Sequence, residues 1–227
     1  MSENQGTLDP STLGVSVDLV HLPIQIGLEA YKEVYMEVSG ACGYENFMRI
    51  GDGARLETAA TPEKGASRVT FARDRLTFQE EGAGIGSDLL VRRMEEVVRA
   101  LSRKVQIPVI IARTRNHRTL IRVPGDGVAA QWLADKALQF DEESCAPLGR
   151  PVRASGLRLQ LPARNNGEAM HLLRVEEWLK NPKMLFVEDN ATWRQPLPLD
   201  QFSNIANELK SAEELMVVRI PDWLSHL

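Results

Sequence analysis

Between Arg68 and Phe78 the chain reads RVTFARDRLTF, and this short run restricts the fold more than any other. Side chains alternate between the two faces of a strand. Val69 and Phe71 share one parity while Leu76 and Phe78 share the other, so a single straight strand would leave two large apolar groups in water. A tight turn at Arg73-Asp74 removes the conflict. Phe71 then opposes Leu76, Val69 opposes Phe78, and all four lie on one side; a bulge would also reset the parity. Opposed apolar pairs of this kind contribute about 0.2–1 kcal/mol each. A ribbon with one oily face needs a cover, and amphipathic helices are the cover this chain offers.

The best helix follows directly. Ser87 is read as its N-cap, Asp88 suits the positive helix end, and Leu90, Met94, Val97, Val98, Leu101 and Val105 recur at helical spacing. Strands are expected in GVSVDLVHLPIQI (ending near Pro23), EVYMEV, ENFMRI, IPVIIA and GLRLQLPA, the last with Leu157, Leu159 and Leu161 on one face. GDGARLETAATPEKGAS reads as a polar loop, and RTRNHRTLIRV as a hairpin turning near Asn116-His117. GVAAQWLADKALQF reads as a second helix, started near Asp126 with Val128, Trp132 and Leu138 inward. A third carries Phe202, Ile205, Ala206 and Leu209, and ELMVVRIPDWL is expected to close the chain as a strand.

The expected fold class is α+β, with mainly antiparallel sheet covered by a few amphipathic helices. Residues 1–12 are expected as a mobile tail, 13–140 as one α+β half, 141–156 as a charged Pro/Gly linker and 157–227 as a second half, the two packing separately or as one domain. A weak self-similarity joins them. Phe71 to Phe78 and Phe186 to Trp193 share the order aromatic-x-x-Asp-x-x-x-aromatic, with Asp189-Asn190 as the second turn, and a helix and an apolar segment follow each.

Glycines at 82, 84 and 86 precede the first helix and raise the question of a phosphate loop. The spacing is Gly-x-Gly-x-Gly, Ser87 stands where a dinucleotide loop has its third glycine, and Asp88 would repel an anion. The preceding RLTFQE alternates as a half-wet strand does, so the glycines read as a corner and no cofactor is expected. The net charge is −4, which argues against nucleic acid as a partner. No apolar run is long enough to span a bilayer, the polar start lacks the order of a signal peptide, and two distant cysteines, Cys42 and Cys145, suit a reducing cytoplasm. The sequence shows no metal-ligand spacing. Cys42 sits among small residues but has no nearby histidine to activate it, so it reads as a small apolar group.

Two surfaces remain. Arg113, Arg115, His117, Arg118 and Arg122 crowd the expected hairpin and could hold a phosphate, a carboxylate or an acidic partner, or could simply guard a sheet edge. Trp223 and Leu224 could anchor a contact with a second copy, or dock on the chain's own core. With no catalytic constellation legible, the expected function is a non-enzymatic binding or assembly module with a protein partner or self-association. The alternative is an enzyme or sensor acting on a small anion through the arginines.

Overall fold

The computed structural model describes residues 8–61, 65–82, 86–125, 127–139, 143, 146–150 and 156–227. Gly84, Asp126, Asp141, Glu142 and Cys145, named above, lie outside them. The described chain is an α+β fold in which ten strands form one antiparallel sheet. In chain order it runs β1 (Pro10–His21), α1 (Leu28–Cys42), β2 (Asn46–Ile50), β3 (Gly53–Glu57), β4 (Ala66–Phe71), β5 (Arg75–Glu81), α2 (Ser87–Ser102), β6 (Val109–Arg122) and α3 (Ala129–Leu133). The order continues with β7 (Gly156–Leu161), β8 (Met170–Glu177), β9 (Met184–Trp193), β10 (Leu197–Pro198), α4 (Ser203–Glu214) and α5 (Ile220–Ser225). Wider π-helical turns extend α3 through Leu138 and join α4 to α5. Across the sheet the order is β2-β3-β4-β5-β1-β6-β9-β8-β7, with β10 beside the start of β6.

The parity conflict resolves by the tight turn. Phe71 pairs with Leu76 and Val69 with Phe78, and all four are at most 1% exposed. The turn closes with the Ala72 amide donating to the Arg75 carbonyl at 2.9 Å. On the same face, Val15, Val17, Leu19, Ala54 and Leu56 join Tyr31, Val34 and Val38 of α1 and Leu90, Met94, Val97 and Leu101 of α2 in one apolar cluster. A second cluster packs Ile121, Leu173, Val175, Leu185 and Val187 against Ala129, Leu133, Met216, Ile220 and Leu224. Burying each such side chain stabilises by about 1.5–3 kcal/mol. The opposite face carries Ser16, Asp18, Thr77, Gln79, Thr114, Asn116 and Glu188, none fully buried, as expected where water meets one side of an antiparallel sheet.

Several expectations need correction. Glu33–Val38 is not a strand but the middle of α1, because Tyr31, Val34, Val38 and Cys42 recur at helical spacing and all are buried. The loop after Gly51 contains β3, which crosses so close to β4 that a Cβ on Gly53 would stand 1.8 Å from the Phe71 carbonyl oxygen. Arg113–Arg122 is no hairpin: it lies in one 14-residue strand, and Asn116 and His117 are paired on both sides, to β1 and β9. Asp189-Asn190 likewise sits inside β9. In the second helix Val128 is 45% exposed, and Ala129, Ala130 and Leu133 face inward instead. The C-terminal segment is helical, with Met216, Ile220 and Leu224 buried four residues apart and Pro221 tolerated in the first turn of α5. The N-cap of α2 is Gly86, without a side-chain cap, rather than Ser87.

The chain enters β1 at Pro10, inside the stretch expected as a tail. The β6–β9 ladder makes one sheet of the two expected halves. The element order is β1-α1-β2…β5-α2 in the first expected half, and β6-α3-β7-β8-β9-β10-α4 follows. β1 pairs with β5, β6 pairs with β9, and β1 and β6 pair with each other across Val15 and His117. Glu80 opposes Val15 and Asp189 opposes His117, and both carboxylates are buried. The aromatic alignment read from the sequence joins unlike elements, since Phe71–Phe78 is a turned ribbon and Phe186–Trp193 a single strand.

Candidate functional site

From Arg113 onward the odd-numbered residues of β6 face the helices. Arg113, Arg115, His117 and Thr119 therefore point inward and are 3%, 0%, 1% and 0% exposed. A buried cation is costly unless its donors are met. For Arg113 they are: Nε and Nη2 donate to the two Glu208 carboxylate oxygens at 2.7 and 2.6 Å, and Nη1 donates to the Gln195 carbonyl at 2.7 Å. Arg115 is less well served. Its Nη2 donates to His117 Nδ1 at 2.6 Å, while Nε and Nη1 have no hydrogen-bond partner in the protein. Burial lowers its pKa to about 10, against the opposing pull of the Asp189 and Glu213 carboxylates.

Since His117 accepts at Nδ1, its proton sits on Nε2, which donates to Thr12 Oγ1 at 3.1 Å. Burial first, and the Arg115 cation second, bring its pKa down to about 3. Beside it on β9, Asp189 is wholly buried and accepts from His171 Nδ1 at 3.0 and 3.1 Å. A carboxylate can only accept, so this contact fixes a proton on Nδ1 and turns Nε2 of His171 away from Asp189 as its second polar atom. The polar row lies between the two apolar clusters: along β9, Trp193 and Ala191 belong to one, Val187 and Leu185 to the other, and Asp189 stands between.

His171 opens onto a cleft of about 480 Å³ between α4 and the β7–β8 turn. Trp193, Ala169, Ala212 and Leu215 contribute apolar surface, and Asn207 and Ser211 contribute amide and hydroxyl groups. Its charges are already paired: Glu208 with Arg113, Arg164 with Glu168 at 2.9 Å, and Arg219 with Glu214 at 2.9 Å. What the cleft presents is thus one imidazole nitrogen, small neutral polar groups and an apolar floor.

The five residues singled out on the expected hairpin do not converge. Arg118 and Arg122 are on the opposite face from the other three, Arg118 within 4.0 Å of Glu81 and Arg122 exposed. Edge protection is not their role either, because β6 is a central strand. Leu224 is fully buried in the chain's own second cluster, and Trp223 is half-buried against it. The strand before the glycines, β5, is antiparallel to both neighbours. At the start of α2 the Ser87 amide donates to Glu213 Oε1 at 3.1 Å, so a carboxylate of this chain already occupies the position a bound anion would take. Cys42 is 3% exposed, and burial raises its thiol to about 11, which makes it a poor nucleophile. Among the described residues no three His, Cys, Asp or Glu side chains gather as a metal site.

Sequence reasoning missed His171, Asp189, Glu208 and Ser211. His171, Asp189 and the Glu208–Ser211 turn lie 18 and 19 residues apart in the chain, and only the β8–β9 register and the docking of α4 bring them together. The one available signal was Asp189 in an otherwise apolar alternation, MLFVEDNATW, where a buried acid requires a partner. The chain matches no protein-family model and no curated protein sequence.

Proposed function

We propose that the protein is a non-enzymatic binding module that takes a short, neutral peptide segment of a partner in the cleft between α4 and the β7–β8 turn. The observation that carries this reading is that every charged side chain lining that cleft is paired within the chain, His171 with Asp189 among them. A neutral ligand with amide groups and one apolar side chain meets Asn207, Ser211 and His171 Nε2 on polar terms and Trp193 and Leu215 on apolar ones. An anion would have to compete with carboxylates already in place, Glu208 on the buried Arg113 and Glu168 and Glu214 on Arg164 and Arg219 at the rim. Among the described residues no helix is long and apolar enough to cross a membrane, and a buried thiol at Cys42 suits a reducing cytoplasm.

Arg115 favours a second reading, action on a small anionic molecule, because two of its guanidinium nitrogens have no protein partner. Backbone-amide NMR separates the two. Pools of neutral tri- and tetrapeptides should shift resonances of Asn207, Ser211 and His171, and His171→Ala should weaken the response. Shifts centred on Arg115 with phosphates or carboxylates, and none with peptides, would replace this reading with the second.

A further inference from the structure

The sheet ends in β2 on one side and β7 on the other, and the two edges differ in how they are protected. Natural edge strands discourage pairing with other chains by turning a charge inward, by proline or by a bulge. The inward face of β2 holds Phe47 and Arg49. An arginine on that face blocks a close second layer. The inward face of β7 holds Leu157, Leu159 and Leu161 and nothing else. Leu157 and Leu159 are only partly covered by the second cluster, and Leu161 is 36% exposed. Among the described residues β7 pairs with β8 alone, so its outer amides and carbonyls have no strand beside them.

We infer that β7 pairs with β7 of a second copy, antiparallel, to join two sheets into one. Residues directly opposite in an antiparallel pair share a face. With Leu159 opposite Leu159, Leu157 meets Leu161 on the helix side, twice by symmetry, and Arg158 meets Gln160 on the open side. No like charges oppose each other in this register. A two-residue slip puts Arg158 opposite Arg158 or Gln160 opposite Gln160, and a one-residue slip puts leucines against polar groups. The same test fails for β2, where pairing Met48 with itself sets Phe47 against Arg49. A six-residue strand contact is small, so the dimer is a reversible one that fills with concentration.

Analytical ultracentrifugation of the full chain from 1 to 500 μM tests this. Wild type is expected to pass from monomer to dimer within that range. Leu159→Arg sets two cations at the symmetry axis and should leave only monomer, with an unchanged circular dichroism spectrum showing that the fold survives. Exposed Gln160 supplies a second pair of variants that leaves the core intact. Gln160→Glu gives each Arg158 a carboxylate across the axis and should tighten association about three- to tenfold, whereas Gln160→Arg should weaken it by a similar factor. Monomer throughout the range overturns the inference, as it would if the chain covers its own edge. So does a dimer indifferent to all three substitutions, which must use another surface. Leu161 also lines the cleft, so the peptide titration is run at a concentration where the chain is monomeric, which keeps failure of the dimer distinct from failure of peptide binding.

Discussion

His117 gives the fold a pH dependence that can be worked out in advance. Its ring is 1% exposed, accepts from the Arg115 guanidinium at 2.6 Å and donates to Thr12. Burial away from water disfavours the charged ring, and protonation would also set it against the Arg115 cation, so the native pKa lies at about 3 rather than at the 6.5 of a free histidine. Because the folded value is depressed, the unfolded chain binds the proton first as pH falls. This contribution is therefore intact above about pH 6.5, is lost progressively toward pH 3, and favours the folded state more as pH rises. At pH 4.5 the unfolded chain has gained about two units' worth of protonation free energy that the native state cannot match, about 2.5 kcal/mol. The assay is urea unfolding at pH 7.0, 6.0, 5.0 and 4.5 for wild type and His117→Gln. Gln keeps an acceptor and a donor but does not titrate, so carboxylate effects cancel in the difference. Wild type should lose about 2.5 kcal/mol more than the variant between pH 7.0 and 4.5. Parallel stability curves would mean that His117 takes up its proton in the native state, and the buried arrangement with Arg115 would be wrong.

Other consequences are simpler to read. Arg93 donates to Glu80 Oε2 at 2.7 Å, and Glu80 is 2% exposed. Arg93→Ala should cost about 3–5 kcal/mol in urea unfolding by stranding that carboxylate, and the double variant Arg93→Met, Glu80→Gln should recover part of the loss. Gly53→Ala forces a methyl against the Phe71 carbonyl and pushes β3 from β4; a loss of about 3 kcal/mol, or roughly 6–12 °C in Tm, should appear by calorimetry. In a Cys145→Ser background, Cys42 should react with a thiol reagent at pH 8 only as fast as the protein opens, and prompt labelling would contradict its burial.

What the sequence disclosed was local. The Val69–Phe78 parity determines a ribbon because both partners lie within ten residues, and α2 shows its stripe within four turns. β6 was illegible for a matching reason. Arg-x-Arg-x-His is the pattern of a wet ribbon, and the group that makes Arg113 tolerable in the interior is Glu208, 95 residues away on α4. Strand-like residues in α1 and in the C-terminal segment disguised helical spacings that were present: 31, 34, 38, 42 and 216, 220, 224. Of the cleft only Asp189, an acid in an apolar alternation, left a trace, because His171 meets it through a strand register that nothing in the linear sequence specifies.

Amide hydrogen exchange over β6 tests the central claim, that this polar segment is the buried strand joining both halves of the sheet. Paired on both sides from Arg113 to Arg118, its amides should be among the slowest in the protein, with Asn116 and His117 as protected as their partners Asn190 and Asp189 on β9. Rapid exchange confined to Asn116 and His117, with slow exchange on either side, would instead reveal a hairpin turn and contradict the account.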